Sequence, residues 1–348
     1  MRKSIKNLKK NIKMIIKLTA KSFFLCLLFF VSFNIIFYYR NNTIKNKLLI
    51  KRIINKIKLI ENYEDIIKKR EINKENDTEN FEKLNGKKYV EYKQDDLTIV
   101  TAFYAIKSKH SFPEYLMRIS NFLKLNRSMV FFTQKALINI IKEMRPKYLY
   151  NKTIFVQMEI KDFYSYKNFG KEFNESFYID TENGYHTVPL YLIWAEKCSF
   201  LKKVILKNYF NSSCFYWVDA GFFANEYQIY RYINWPSSKK CYENPKVLLN
   251  SIRTIPDSER RDLMNFNLEA HKNFQKMNNV AGGLFGGKPE YLLMFIDYYY
   301  ETIKLFISHN IFIGKDQNLF AFVAFSHPEI INLIYSSGDY YYFQSYLS

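Results

Sequence analysis

The sequence is poor in the residues that build metal centres and phosphate loops. Of 348 residues only 4 are cysteine, 5 histidine, 8 proline and 10 glycine. Cys26, Cys198, Cys214 and Cys241 form no Cys-x-x-Cys pair and no Cys/His spacing of a zinc site, which argues against a structural zinc. Cys26 lies in a long apolar run, so in an oxidising compartment the other three make at most one disulfide plus a free thiol. The alternative is three buried thiols packing as small hydrophobes. His186, His271, His309 and His327 stand at no triad-like or metal-ligand spacing, and no role is assigned to them. The glycines form neither a Walker loop nor the Gly-x-Gly-x-x-Gly turn that opens a dinucleotide fold.

Acids are the scarcer charge. The formal net charge is +19, and residues 1–94 hold 23 of the 52 Lys/Arg against 9 of the 33 Asp/Glu. The excess is therefore mostly N-terminal, no nucleic-acid recognition motif accompanies it, and nucleic acid is not an expected partner. With 48% apolar residues the remainder can bury a sizeable core.

Residues 22–39 carry the run FFLCLLFFVSFNIIFYY, interrupted only by Ser32 and Asn34 and preceded by the basic segment 1–21. At ~1.5 Å per residue its 17 residues reach about 25 Å, enough for one membrane-spanning helix. No small-x-small cleavage site follows, so an uncleaved signal anchor is expected. The arrangement is that of a single-pass type II membrane protein, with a lumenal body in the ER or Golgi. Residues 40–94 predict a stem: Leu49, Ile53, Ile57, Ile60 and Ile67 recur at helical spacing before a polar stretch without periodicity.

From residue 95 the texture changes. LTIVTAFYAI (97–106), SMVFFT (128–133), TIFVQMEI (153–160) and CFYWVDAG (214–221) predict buried strands, with helices between them in PEYLMRISNFLKLN, QKALINIIKEMR and VPLYLIWAEKCSFLKKVILKNYF. Such alternation predicts an α/β domain over 95–348, a mostly parallel sheet flanked by helices that collects ligands at the carboxyl ends of its strands.

Three places then stand out. Asp219 follows the fourth strand, and Gly221 behind it permits a sharp or left-handed turn. Gly282, Gly283, Gly286 and Gly287 cluster in AGGLFGG, where bare backbone lets a ligand approach closely. Asp316 and Gln317, in GKDQN, open an apolar helix, where they cap it or face a ligand.

In order, the segments TIVTAFYAIKSKHSFPEYLMRISNFL, MVFFT, PLYLIWAEKCSFLKKVI leading into FYWVDAGFF, the Trp235-Pro236 pair, AGGLFGG and GKDQN resemble the HtrL/YibB family, grouped with GT-A-like nucleotide-diphospho-sugar glycosyltransferases. The resemblance implies a transferase that moves a sugar from a nucleotide-diphosphate donor to a glycan, protein or lipid acceptor. It implies that Val100 to Tyr104, including Thr101, Ala102 and Tyr104, flank the nucleotide. It also implies that Asp219 holds a divalent cation, Mn2+ or Mg2+, against the diphosphate.

GT-A-like enzymes usually carry two acids in Asp-x-Asp spacing, whereas Val218-Asp219-Ala220-Gly221 has one. Asp219 therefore binds a metal with help from elsewhere, bonds a ribose hydroxyl, or caps its turn. Asp316 is the candidate catalytic acid or base, or else a helix N-cap. Lys197, Lys109 and His110 meet the diphosphate or base, or lie on the surface. Trp235 stacks on a sugar or fills the core. The alternative function is a catalytically inactive GT-A-like module that binds glycans or a partner protein.

Overall fold

A computed structural model describes residues 96–107 and 110–348. The expected anchor, the stem and Lys109 lie outside the described residues. In chain order the elements are β1 (Leu97–Phe103), α1 (Phe112–Phe122), β2 (Ser128–Thr133), α2 (Ile138–Met144), β3 (Thr153–Gln157), α3 (Tyr164–Phe177), α4 (Val188–Lys207) and β4 (Cys214–Val218). There follow α5 (Glu226–Tyr232), α6 (Lys239–Glu243), β5 (Val247–Ser251), α7 (Asp257–Met264), α8 (Leu268–Gln275), β6 (Leu284–Gly287), α9 (Pro289–Ser308), α10 (Asp316–Ser326), β7 (Ile331–Tyr335) and α11 (Tyr342–Tyr346).

The strands form one sheet in the order β3-β2-β1-β4-β6-β5-β7. All pairings are parallel except those of β6, which runs antiparallel to β4 and β5. The four strands expected from the sequence are present, β2 at its full predicted length and β1, β3 and β4 slightly shorter than their runs. Three more, β5 to β7, complete the sheet.

Period-two alternation explains why the sheet is covered on both sides. Val100, Val130, Phe215 and Trp217 point into the core shared with α4, α9 and α10. Ile99, Met129, Tyr216 and Val218 point the other way, toward Ile119 and Phe122 of α1 and toward Phe343 and Leu347 of the tail. Trp235 belongs to this second core, stacked on Phe222 at 5.6 Å between ring centres and 2% exposed. It is a core side chain and not a sugar platform.

The glycine cluster divides by location. Gly286 and Gly287 are strand residues of β6, not a ligand loop. A Cβ on Gly286 would lie 2.3 Å from the Phe215 carbonyl oxygen, and one on Gly287 2.7 Å from that of Lys246, so the sheet itself requires both glycines. Gly221 is unlike them: its φ is not left-handed, and a Cβ there would make ordinary 3.5 Å contact with Tyr115, so the turn after β4 does not depend on it.

Cys214, the first residue of β4, is bonded to Cys241 in α6, and Cys198 is a buried free thiol. This is the one-disulfide pattern open to the three downstream cysteines.

Candidate functional site

The chain leaves β1 toward β2 and β3 on one side and returns to β4 on the other, so the carboxyl ends of β1 and β4 bound a topological switch point. Crevices form there because the two connections diverge. A cavity of about 550 Å³ opens at this place, lined by Ala102 to Ile106 after β1, by Asp219 to Phe222 after β4, by the first turns of α4, and by Gly283, Tyr340 and Tyr341. Its volume suits a ligand of nucleotide size.

Asp219 lies on its floor. The main chain fixes it from both sides: its N–H donates to the Gly283 carbonyl at 2.8 Å, and its own carbonyl accepts from the Phe222 N–H at 2.9 Å. Two residues earlier, on the same face, the Trp217 indole Nε1 donates to Asp219 Oδ1 at 2.8 Å. The same oxygen lies 3.2 Å from Lys197 Nζ, and the Asp219 side chain is 42% exposed. It is open on its cavity side and walled by protein elsewhere. Burial accordingly raises the Asp219 carboxyl above the usual carboxylate range, opposed by the Lys197 ammonium and the Trp217 indole and reinforced by Asp316.

Lys197 projects from α4 beneath the floor. Its ammonium donates to Asp316 Oδ2 at 2.8 Å and to the Gly282 carbonyl at 2.9 Å, besides its contact with Asp219. Burial favours the neutral amine, yet Asp219 and Asp316 more than offset this and hold Lys197 above the ordinary lysine range. The surface alternative for Lys197 is thereby overturned: a side chain 3% exposed is packed between two acids.

Asp316 is the first residue of α10, but its carboxylate makes no capping hydrogen bond. The N-cap is Lys315 and not Asp316, which is 4% exposed and does not line the cavity. Gly282 faces Asp316 and not the cavity; a Cβ there would lie 2.7 Å from Asp316 Oδ2.

The remaining expectations separate in the same way. Ala102, Tyr104, Lys197, Asp219 and Gly283 line the cavity; Thr101, Gly282 and Gln317 do not. Thr101 is fully buried within β1, before the strand end at which Ala102 and Phe103 meet the cavity. Gln317 buries Oε1 without a hydrogen-bond partner, away from the cavity. His110 lines the wall and pairs with Glu114 at 2.9 Å.

Among the lining residues not singled out from the sequence, three bear on the chemistry. Arg118, one turn after Glu114 in α1, gives Nη2 to Glu114 Oε1 at 2.9 Å and keeps a buried Nε with no hydrogen-bond partner. Tyr340 and Tyr341 arrive from the tail, where Asn250 Nδ2 donates to the carbonyls of Asp339 and Tyr340. Burial, with Asp219 beside it, pushes the Tyr340 phenol up. Only the i, i+4 Glu114–Arg118 pair left a trace in the sequence, and surface helices carry many such pairs.

The donor set does not suit a cation chelated between Asp219 and Asp316. Hard divalent ions want six or more oxygen ligands, and here an ammonium already stands between the two carboxylates, leaving one Asp219 oxygen, Oδ2, for the cavity. A second acidic group exists: ligand atoms of Asp180, Glu182 and His186 lie within 4.8 Å of one another. They are already engaged, since Asp180 Oδ2 accepts from Tyr191 Oη at 2.5 Å and contacts His186 Nδ1 at 2.8 Å, while Glu182 accepts from Lys315 at 2.9 Å.

No curated protein matches the chain. Among solved structures, the apo form of mouse xyloside xylosyltransferase 1 aligns at 14% identity with a TM-score of 0.40, covering 69% of this chain and 85% of that one. Residues 95–347 match the model of HtrL_YibB, described as a bacterial protein of unknown function, and the chain therefore belongs to the HtrL/YibB family.

Proposed function

We propose that the domain is a glycosyltransferase, taking a sugar from a nucleotide-diphosphate donor and passing it to a hydroxyl of a glycan, protein or lipid. The observation that carries this reading is a half-open carboxylate on the floor of a nucleotide-sized cavity at the switch point of a mostly parallel sheet. It agrees with the reaction class that the order of motifs implies.

In this reading Asp219 Oδ2 accepts a hydrogen bond from a substrate hydroxyl. Its raised proton affinity suits it to take the proton released as the new glycosidic bond forms. Lys197 and Trp217 hold the other oxygen, so the free one is aimed before the substrate arrives. Arg118 offers the donor phosphates a guanidinium from the α1 wall, where Glu114 orients it through Nη2. Tyr104, Trp194, Tyr340 and Tyr341 supply aromatic surface for base and sugar rings.

The expected setting is a membrane-anchored protein on the oxidising side of a secretory membrane. The Cys214–Cys241 bond supports an oxidising compartment, and the apolar run at 22–39 supports the anchor. The test is a donor screen on the full chain, measuring UDP or GDP released from a panel of sugar nucleotides. Turnover of one donor that Asp219→Asn abolishes, with the thermal midpoint retained, supports the reading. Undiminished turnover in Asp219→Asn, or none with any donor and acceptor, refutes it.

A further inference from the structure

Lys197 has no proton to spare. An ammonium carries three N–H donors, and here three oxygens receive them: Asp316 Oδ2 at 2.8 Å, the Gly282 carbonyl at 2.9 Å and Asp219 Oδ1 at 3.2 Å. The Trp217 ring adds a fourth side, with Nζ 5.7 Å from its centre. Two carboxylates and a main-chain carbonyl converging on one point are the oxygen set that a hard divalent ion would seek, and a lysine has taken it. The neighbourhood is built to keep this contact. Gly282 has no side chain because one would strike the Asp316 carboxylate, and the Gly283 carbonyl ties Asp219 to the same segment.

We infer that Lys197 is the resident cation of this site, standing where a shared divalent ion would otherwise bind, and that the chain handles a nucleoside diphosphate without chelating a metal. The second half rests on the sugar-transfer reading; the first concerns ion binding alone and holds or fails without it. Lys197 is a positioning residue in this scheme. It touches no ligand, sets the direction of Asp219 Oδ2, and leaves Arg118 to meet the phosphates.

The probe is Mn2+ itself, followed on the full chain by the electron-spin signal of the free ion, with thermal midpoints recorded in Mn2+ and in EDTA. The wild type is expected to show no saturable binding at millimolar Mn2+ and the same midpoint in both media. Lys197→Ala removes the ammonium and leaves both carboxylates facing a space of its size. It is expected to gain Mn2+ binding at least ~10-fold tighter than wild type, and Asp219→Asn added to it should reverse that gain.

Saturable Mn2+ binding by the wild type that Asp219→Asn removes would overturn the inference. So would a folded Lys197→Ala that gains none. If Lys197→Ala does not fold, the wild-type titration decides alone. A further arm measures UDP and GDP binding: equal affinity in Mn2+ and EDTA supports the metal-free reading, and an Asp219-dependent rise with Mn2+ refutes it. Failure of both nucleotides to bind would count against sugar transfer while leaving the Mn2+ result intact.

Discussion

Gly282→Ala is the sharpest test of the buried charge cluster, because the clash it creates can be located. An added Cβ would lie 2.7 and 2.8 Å from the two Asp316 carboxylate oxygens and 2.9 Å from its Cγ, where ordinary contacts begin at 3.4 Å. The carboxylate has little room to retreat, since it sits on the first residue of α10, is 4% exposed and is held by Lys197 at 2.8 Å. Overpacking alone costs about 1–3 kcal/mol, and weakening a buried ion pair can add to that, up to the roughly 3–5 kcal/mol of losing one partner. An expected loss of about 3 kcal/mol corresponds, for a domain of this size, to a thermal midpoint lower by about 6–12 °C. Differential scanning calorimetry on the full chain reads this directly.

Gly283→Ala is the internal comparison. Its Cβ would meet Asp219 Oδ2 and the Tyr340 hydroxyl, each at 3.2 Å, both ends of side chains that border the cavity and can give way. That variant is expected to keep its midpoint within about 2 °C and to lose ligand binding instead. In an Asp316→Ala background, where the obstructing carboxylate is gone, Gly282→Ala is further expected to cost less than it does alone. A Gly282→Ala midpoint indistinguishable from wild type would refute the packing described for the floor.

Other expectations follow from the same geometry. Arg118→Gln, which keeps polarity but removes the charge, is expected to cost about 1.5–3 kcal/mol of nucleoside-diphosphate binding, or roughly 10–150-fold in Kd, with unchanged melting; unaltered affinity would remove Arg118 from the site. Because the Asp219 carboxyl is raised, its proton-accepting form is present only above that elevated pKa, so the rate should fall as pH drops through a midpoint above the ordinary carboxylate range. A limb at or below the ordinary value would show that Asp219 is not the titrating base. Cys241→Ser opens the loop closed across 27 residues and is expected to cost about 3 kcal/mol, read as a lower midpoint without change in nucleotide affinity.

What could be read from the sequence follows the range of each signal. Strands β1, β2 and β4 were legible because buried parallel strands are continuous apolar runs, and so was Asp219 at the rim of β4; β3 was legible from the same apolar run although it is a half-exposed edge strand. Strand β6 was not, because its LFGG carries two glycines that mimic a flexible loop, whereas the tight packing of β4 and the Lys246 carbonyl against them is a long-range fact. Thr101 and Ala102 are adjacent in sequence, yet only Ala102 lines the cavity; the cavity begins at the last two residues of β1, Ala102 and Phe103, and where a strand ends is a fact of the fold. Tyr340 and Tyr341 arrive from a short Tyr-rich tail without periodicity, and their place depends on Asn250 of β5 gripping the backbone before them.

The acid cluster shows the same limit from the chemical side. A motif search counts carboxylates near each other in sequence, and near Asp219 it finds one. The structure brings a second from Asp316 and sets Lys197 between them, although Lys197 and Asp316 are 119 positions apart. Counted by space, the site is neither a broken Asp-x-Asp motif nor a lone acid, but two carboxylates sharing one ammonium, with a single oxygen turned to the cavity. Two acids this close without a cation between them would repel, so removing any one of Asp219, Asp316 or Lys197 should weaken the hold on the other two. The three residues act as a unit, and their single-variant effects should not add: Asp316→Asn in a Lys197→Ala background is expected to cost less than it does alone. Additive losses would mean that the ion pair, though close, holds nothing together.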